Sequence, residues 1–69
     1  VYSKKIEDVV DGDKVYIHCV LDTYIGQVIY VSLDTIVVKE NIFGDVYTIN
    51  KNTNISEEDS LARFEFFSI

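Results

Sequence analysis

His18 and Cys19 stand side by side as the chain's one histidine and one cysteine, the residue types best suited to nucleophilic chemistry at neutral pH. A histidine activates a thiol only from hydrogen-bonding distance, and neighbouring strand positions point to opposite faces of a sheet. Both fall in residues 14–21, where Val15, Ile17, Cys19 and Leu21 alternate with Tyr16, His18 and Val20. A dyad within one chain is therefore excluded. Cys19 shares the Val15 and Ile17 face and is expected as a small buried hydrophobe. One Cys and one His fall short of the four ligands of a structural zinc, so neither metal nor cofactor is expected.

The acidic residues give no better case for catalysis. Asp11 and Asp13 flank Gly12 without the distal Glu of a calcium loop, which leaves a turn with solvated carboxylates. Glu57, Glu58 and Asp59 are neighbours on one segment, whereas a glycosidase needs two carboxyls facing each other across a cleft. Gly12, Gly26 and Gly44 lie too far apart for a phosphate-binding loop. No enzyme is expected.

Binding chemistry is better represented. Residues 50–54 form a polar run in which Asn50, Asn52 and Asn54 offer amide donors and acceptors beside Lys51, enough to read a nucleotide edge without a basic field. Tyr24 and Tyr30 offer stacking surface. The C-terminal Phe64, Phe66, Phe67 and Ile69 exceed what one small core needs; with Tyr47 they are candidates for a subunit or partner contact.

These residues have to be positioned by a single domain, residues 1–69, with one small core. A scaffold this short ordinarily adds disulfides, a metal or a partner subunit. One cysteine allows no intrachain disulfide and points to a reducing compartment, so self-association is the expected supplement. Twelve acidic against six basic residues set a net charge of −6, a field that repels nucleic acid and anionic membrane. Charged or polar residues interrupt every apolar stretch, so no membrane span is expected and the location is read as cytoplasmic. Val1 is not an initiator Met, which implies a chain begun after processing or trimming.

Periodicity predicts an all-β fold. Ile6, Val9 and Val10 have the spacing of a short helix or single turn, ended by Asp11, Gly12 and Asp13. Strands follow over residues 14–21, 24–31, 35–40, 45–50 and 63–69, with a tight turn at Asp22 and Thr23, a four-residue loop over 41–44, and a polar loop over 51–54. Gly26 permits the close backbone approach or bend that a small barrel needs. Ile55 is expected to return to the core, Ser56 to cap a turn of helix, and one of Phe66 and Phe67 to stay exposed unless a partner covers it. The sum is a five-stranded, strongly bent antiparallel barrel with a short N-terminal helix or turn.

Residues 12–55 resemble the Sm-like family and related Src-homology-type small barrels. The resemblance rests on Lys14, Val15, Tyr16 and Ile17, then Tyr24, Ile25, Gly26, Gln27 and Val28, then Leu33 through Val38, and finally Val46, Tyr47, Thr48, Ile49 and Ile55. It implies a barrel that forms rings through edge strands and binds single-stranded RNA through pore-facing loops. Asp34 matches the acidic residue that opens the family's first motif; Val37 and Val38 stand where its Asn would follow, and Lys51 and Asn52 replace its basic pair. The expected function is a non-enzymatic interaction module that self-associates through edge strands. RNA or nucleotide binding through residues 50–54, and a small acidic inhibitor that mimics nucleic acid, are the alternatives.

Overall fold

A pleated strand converts alternation in sequence into two faces, and the alternating runs of this chain build one curled antiparallel sheet. The computed structural model describes residues 2–68. Its strands are β1 (Tyr2–Ser3), β2 (Lys14–His18), β3 (Thr23–Val31), β4 (Thr35–Glu40), β5 (Val46–Asn50), β6 (Ile55–Ser56) and β7 (Arg63–Ser68). Their spatial order is β1-β7-β2-β3-β4-β5-β6. Strands β2 to β5 are thus a meander, and the chain returns to lay β7 along β2.

Pattern reading counts five strands, but the half-barrel has seven. The two extra strands hold two residues each, pairing β1 with β7 and β6 with β5. Two residues are too few to carry a hydrophobic period. The helical spacing of Ile6, Val9 and Val10 produces only a single 3-10 turn, Ile6–Asp8, and of the three only Val9 is buried.

One face of the sheet makes the core: Val15 and Ile17 of β2, Val28 of β3, Ile36 and Val38 of β4, Ile49 of β5, and Phe64 and Phe66 of β7. Tyr47 meets Phe64 edge-on at 5.6 Å between ring centroids, so β5 and β7 touch across the inside of the curl. The Asn54 side-chain amide adds a hydrogen bond to the Phe64 carbonyl at 3.4 Å. Gly26 marks a close approach of β3 and β4: a Cβ there would sit 2.7 Å from the Lys39 carbonyl oxygen and 3.2 Å from Ile17 Cδ1. No side chain fits that gap, as the sequence predicts for this glycine.

Four local expectations are corrected. Strand β2 stops at His18, and the Cys19 N–H donates to the Asp22 carbonyl at 2.8 Å, which puts Val20 and Leu21 at the hairpin tip. Leu21 is 90% exposed rather than part of the core face. Ile55 points outward and Ser56 inward, because Ser56 is the residue placed opposite buried Ile49. No helical turn follows Ser56, although its hydroxyl accepts the Asp59 N–H. Phe66 and Phe67 face opposite ways as expected, yet both are buried: Phe66 enters the core and Phe67 stacks on Tyr16 of β2 at 4.6 Å.

Asp13 is also not a solvated turn residue. It is buried, accepts a hydrogen bond from Lys4 Nζ at 2.8 Å, and accepts the Val10 N–H at 2.9 Å. Burial pushes its pKa up, but the Lys4 hydrogen bond, the Val10 N–H and the Lys4 charge together hold it below the ordinary aspartate value. A carboxyl with a lowered folded pKa stabilises fully above its unfolded pKa and loses that contribution as pH falls through the folded one.

Two outcomes follow for stability. Gly26→Ala should lower the unfolding free energy by about 1–3 kcal/mol in urea titration, and a wild-type midpoint would refute the close approach. Asp13→Asn should cost about 1–3 kcal/mol at neutral pH and flatten the loss of stability seen below about pH 4. An unchanged acid limb in that variant would contradict the role given to the Lys4 pair.

Candidate functional site

The inward rows of the meander change character at one end of the half-barrel. Along β2 the row Val15, Ile17 runs on to Cys19; along β4, Ile36 and Val38 run on to Glu40; β3 enters with Tyr24, and β5 starts its row with Tyr47. The registers bring these four ends together, since Ile17 pairs with Tyr24, Gly26 with Glu40, and Val38 with Tyr47. Cys19, Tyr24 and Tyr47 pack against the core from this side. Together they floor a cleft of about 550 Å³.

Glu40 organises the first wall. Its side chain is 2% exposed, a placement that demands hydrogen bonds for the carboxylate. The N–H groups of Ile42 and Phe43 supply them, the latter at 2.7 Å. The Glu40 backbone closes the same loop, donating to the Asp45 carbonyl at 2.8 Å and accepting from Gly44 N–H at 3.1 Å. Gly44 takes a positive φ of 77° there, where a side chain would strain the backbone. So held, Phe43 presents its ring edge-on to Tyr24, with centroids 6.1 Å apart and planes at 77°.

The hairpin tip and the segment before β7 make the other walls. Tyr24 donates its hydroxyl hydrogen to Asp22 at 3.3 Å. Across the cleft, Ser56 Oγ accepts the Asp59 N–H at 3.0 Å and donates to the Asp59 carbonyl at 2.7 Å, while Asp59 Oδ1 accepts the Leu61 N–H at 3.0 Å. Val20, Leu21, Phe43 and Leu61 around the mouth are all exposed. A hairpin tip made of Val and Leu departs from the Gly, Asn and Asp that such turns favour. Local departures of this kind concentrate at functional sites.

The cleft is electrostatically one-sided. Asp22, Glu40, Asp45 and Asp59 line it, with no Lys, Arg or His among the lining residues. Three neutral groups register that field. Burial and then the charge of Asp59 push the Cys19 thiol up, opposed by its interaction with the Tyr47 hydroxyl and helped last by the charge of Asp22. Tyr24 is raised chiefly by the charge of Asp22, and Tyr47 by burial and then by neighbours that include Cys19, Asp45 and Asp59. Cys19 is thus held as a thiol, and a thiol is a poor nucleophile. His18 points elsewhere: its ring nitrogens face Thr23 Oγ1 at 3.2 Å and Glu65 Oε1 at 3.1 Å.

The residues singled out by sequence are divided by the fold. Tyr24 and Tyr47 are in the cleft, where Tyr47 is half-buried. Asp34 and residues 50–54 lie at the far end of the β4–β5 hairpin, joined by the Lys51 N–H donating to the Asp34 carbonyl at 2.9 Å. Asp34 there accepts bonds from the Ser32 and Thr35 hydroxyls. Two amides of that loop bond the chain itself: Asn50 Oδ1 accepts the Asn52 N–H at 2.7 Å, and Asn54, in left-handed backbone at φ 56°, donates through Nδ2 to Phe64 while its Oδ1 is buried without a partner. Phe64, Phe66 and Phe67 are buried, and Ile69 lies outside the described residues. Among the described residues no three His, Cys, Asp or Glu side chains converge as a metal ion requires.

Phe43, Glu40 and Asp45 are site residues that sequence reasoning passes over, and Asp59 enters it only as a carboxylate set aside for catalysis. No local signal marks the site, because Val20 and Leu21 at its mouth read as strand until the Cys19–Asp22 hydrogen bond places them at the hairpin tip.

The thiol gives a direct readout of the field. Asp59→Asn preserves an oxygen for the Leu61 N–H and removes the charge that most raises Cys19 after burial, so labelling by an aromatic disulfide at neutral pH should accelerate severalfold. An unchanged rate would mean that the acids do not act on the cleft.

No family model matches the chain, and no match to it is found among the curated proteins or among the solved structures.

Proposed function

We propose that this domain is a non-enzymatic interaction module that docks a segment of another protein by taking one of its basic side chains into the cleft. The observation that carries this reading is the combination of Tyr24, Phe43 and Tyr47 with Asp22, Asp45 and Asp59 in a single depression free of basic lining residues. Aromatic faces attract cations through the ring quadrupole, by about 0.5–2 kcal/mol according to desolvation. The carboxylates add long-range steering and suppress anionic competitors. Val20, Leu21 and Leu61 around the mouth supply apolar surface for residues flanking the basic one.

We place the domain with small barrels of the Sm-like or Src-homology type, a reading supported by the meander of β2 to β5 with β7 returned to β2. Self-association through edge strands draws less support. The phenylalanines that motivate it are used within the chain, and the edges are the two-residue β1 and β6. Beyond β6 the Glu58 carboxylate accepts the Thr48 N–H at 2.7 Å and the Thr48 hydroxyl at 3.1 Å, laying a charge along the β5 edge. Charged edges discourage strand addition. RNA or nucleotide binding through residues 50–54 draws less support because the net charge of −6 repels phosphates.

Calorimetric titration with a short peptide of alternating basic and leucine residues tests the reading. Binding should weaken about fivefold with Asp45→Asn, by the same factor with Asp59→Asn, and progressively with added salt. Binding indifferent to both substitutions and to salt would remove it.

A further inference from the structure

Resting on that reading, we infer that the basic side chain taken by the cleft is arginine, held by Asp45 and Asp59 with its plane against Tyr47. Glu40 is not free to receive it, because its carboxylate is committed to the N–H groups of Ile42 and Phe43. Asp22 already receives the Tyr24 hydroxyl. Among the described residues the Asp45 carboxylate accepts no hydrogen bond, and Asp59 accepts one only at Oδ1. Free carboxylate oxygens therefore remain on Asp45, Asp59 and Asp22, and of these three only Asp45 and Asp59 also line the adjoining depression beside Tyr47.

Their placement favours a flat, many-donor cation. A second depression of about 350 Å³ adjoins the first and shares Asp45, Tyr47 and Asp59 with it. Tyr47 thus lies on the boundary between two openings, with both carboxylates beside it. A guanidinium carries five N–H donors in a rigid plane and is weakly hydrated, so it can stack on a ring while forking to carboxylates.

Neither alternative cation uses the site as well. A lysine ammonium is a compact, strongly hydrated charge that cannot span two acceptors and cover a ring at once. A trimethylated ammonium has no N–H donor, so it would cover Asp45 and Asp59 without bonding them, and desolvated acceptors left unpaired are costly.

The test uses the whole chain and four peptides that differ only in one central residue between leucines: arginine, lysine, trimethyllysine and citrulline. Calorimetry should rank arginine first, about tenfold tighter than lysine and trimethyllysine, with citrulline the weakest. The double variant Asp45→Asn, Asp59→Asn, shown by circular dichroism to keep its fold, should bring arginine and lysine to within about twofold of each other. Lysine or trimethyllysine equal to or tighter than arginine would overturn the arginine assignment and leave a cation-binding cleft standing. Four peptides of equal affinity, or none that binds, would overturn the cleft reading itself. An arginine preference surviving in the double variant would overturn the roles given to the two carboxylates.

Discussion

At Gly26 the backbones of β3 and β4 come so close that a methyl group would press on the Lys39 carbonyl, and much of the site follows from that contact. The curl it permits puts Glu40 at the inner end of β4, opposite Gly26 in the ladder. From there its carboxylate gathers the N–H groups of Ile42 and Phe43, and the turn so formed carries the Phe43 ring to Tyr24. A charge with 2% exposure is costly unless its oxygens are bonded. Here the bonds go to a loop rather than to a counter-charge, so one carboxylate both closes the core and shapes the binding surface.

The same economy explains why the floor of the cleft is aromatic and acidic. Each strand contributes an inward row that is aliphatic in the middle of the half-barrel, where water is excluded and Val and Ile pack to full burial. At the open end a side chain has an apolar inner part and a wet tip, the situation that tyrosine satisfies. Tyr24 and Tyr47 sit at that depth, packed on the core while reaching Asp22 and Cys19. Field and shape therefore arise from one arrangement, and the half-buried Cys19 thiol among them is raised by its burial first and by the carboxylates second.

Much of the framework is legible in the sequence because strands with one dry face write their period plainly. The strand over Thr35–Glu40 follows from its β-branched run, and Gly12 and Gly26 take the turn and the close approach that the residues imply. The errors have physical causes. Nothing in Val20 and Leu21 announces a turn, so β2 reads as longer than it is and Leu21 as buried. Ile55 and Ser56 exchange faces because the loop over residues 51–54 and the Ile49 pairing, not hydropathy, set the register. The aromatic excess at the C-terminus is absorbed by a stacking partner on the outer face, Tyr16. The cleft was the least legible part: its residues come from the ends of β2, β3, β4 and β5 and from the segment before β7, and only the pairing of strands brings them together.

Chemical-shift mapping of the isotope-labelled chain, on addition of an arginine-centred peptide at low ionic strength, reads the central claim most directly. The account predicts perturbations grouped at residues 19–24, 40–47 and 59–61, the segments that meet only in the folded cleft. Perturbations centred instead on the far hairpin end, at Asp34 and residues 50–54, or along the exposed β3 ridge of Ile25, Ile29 and Tyr30, would contradict it.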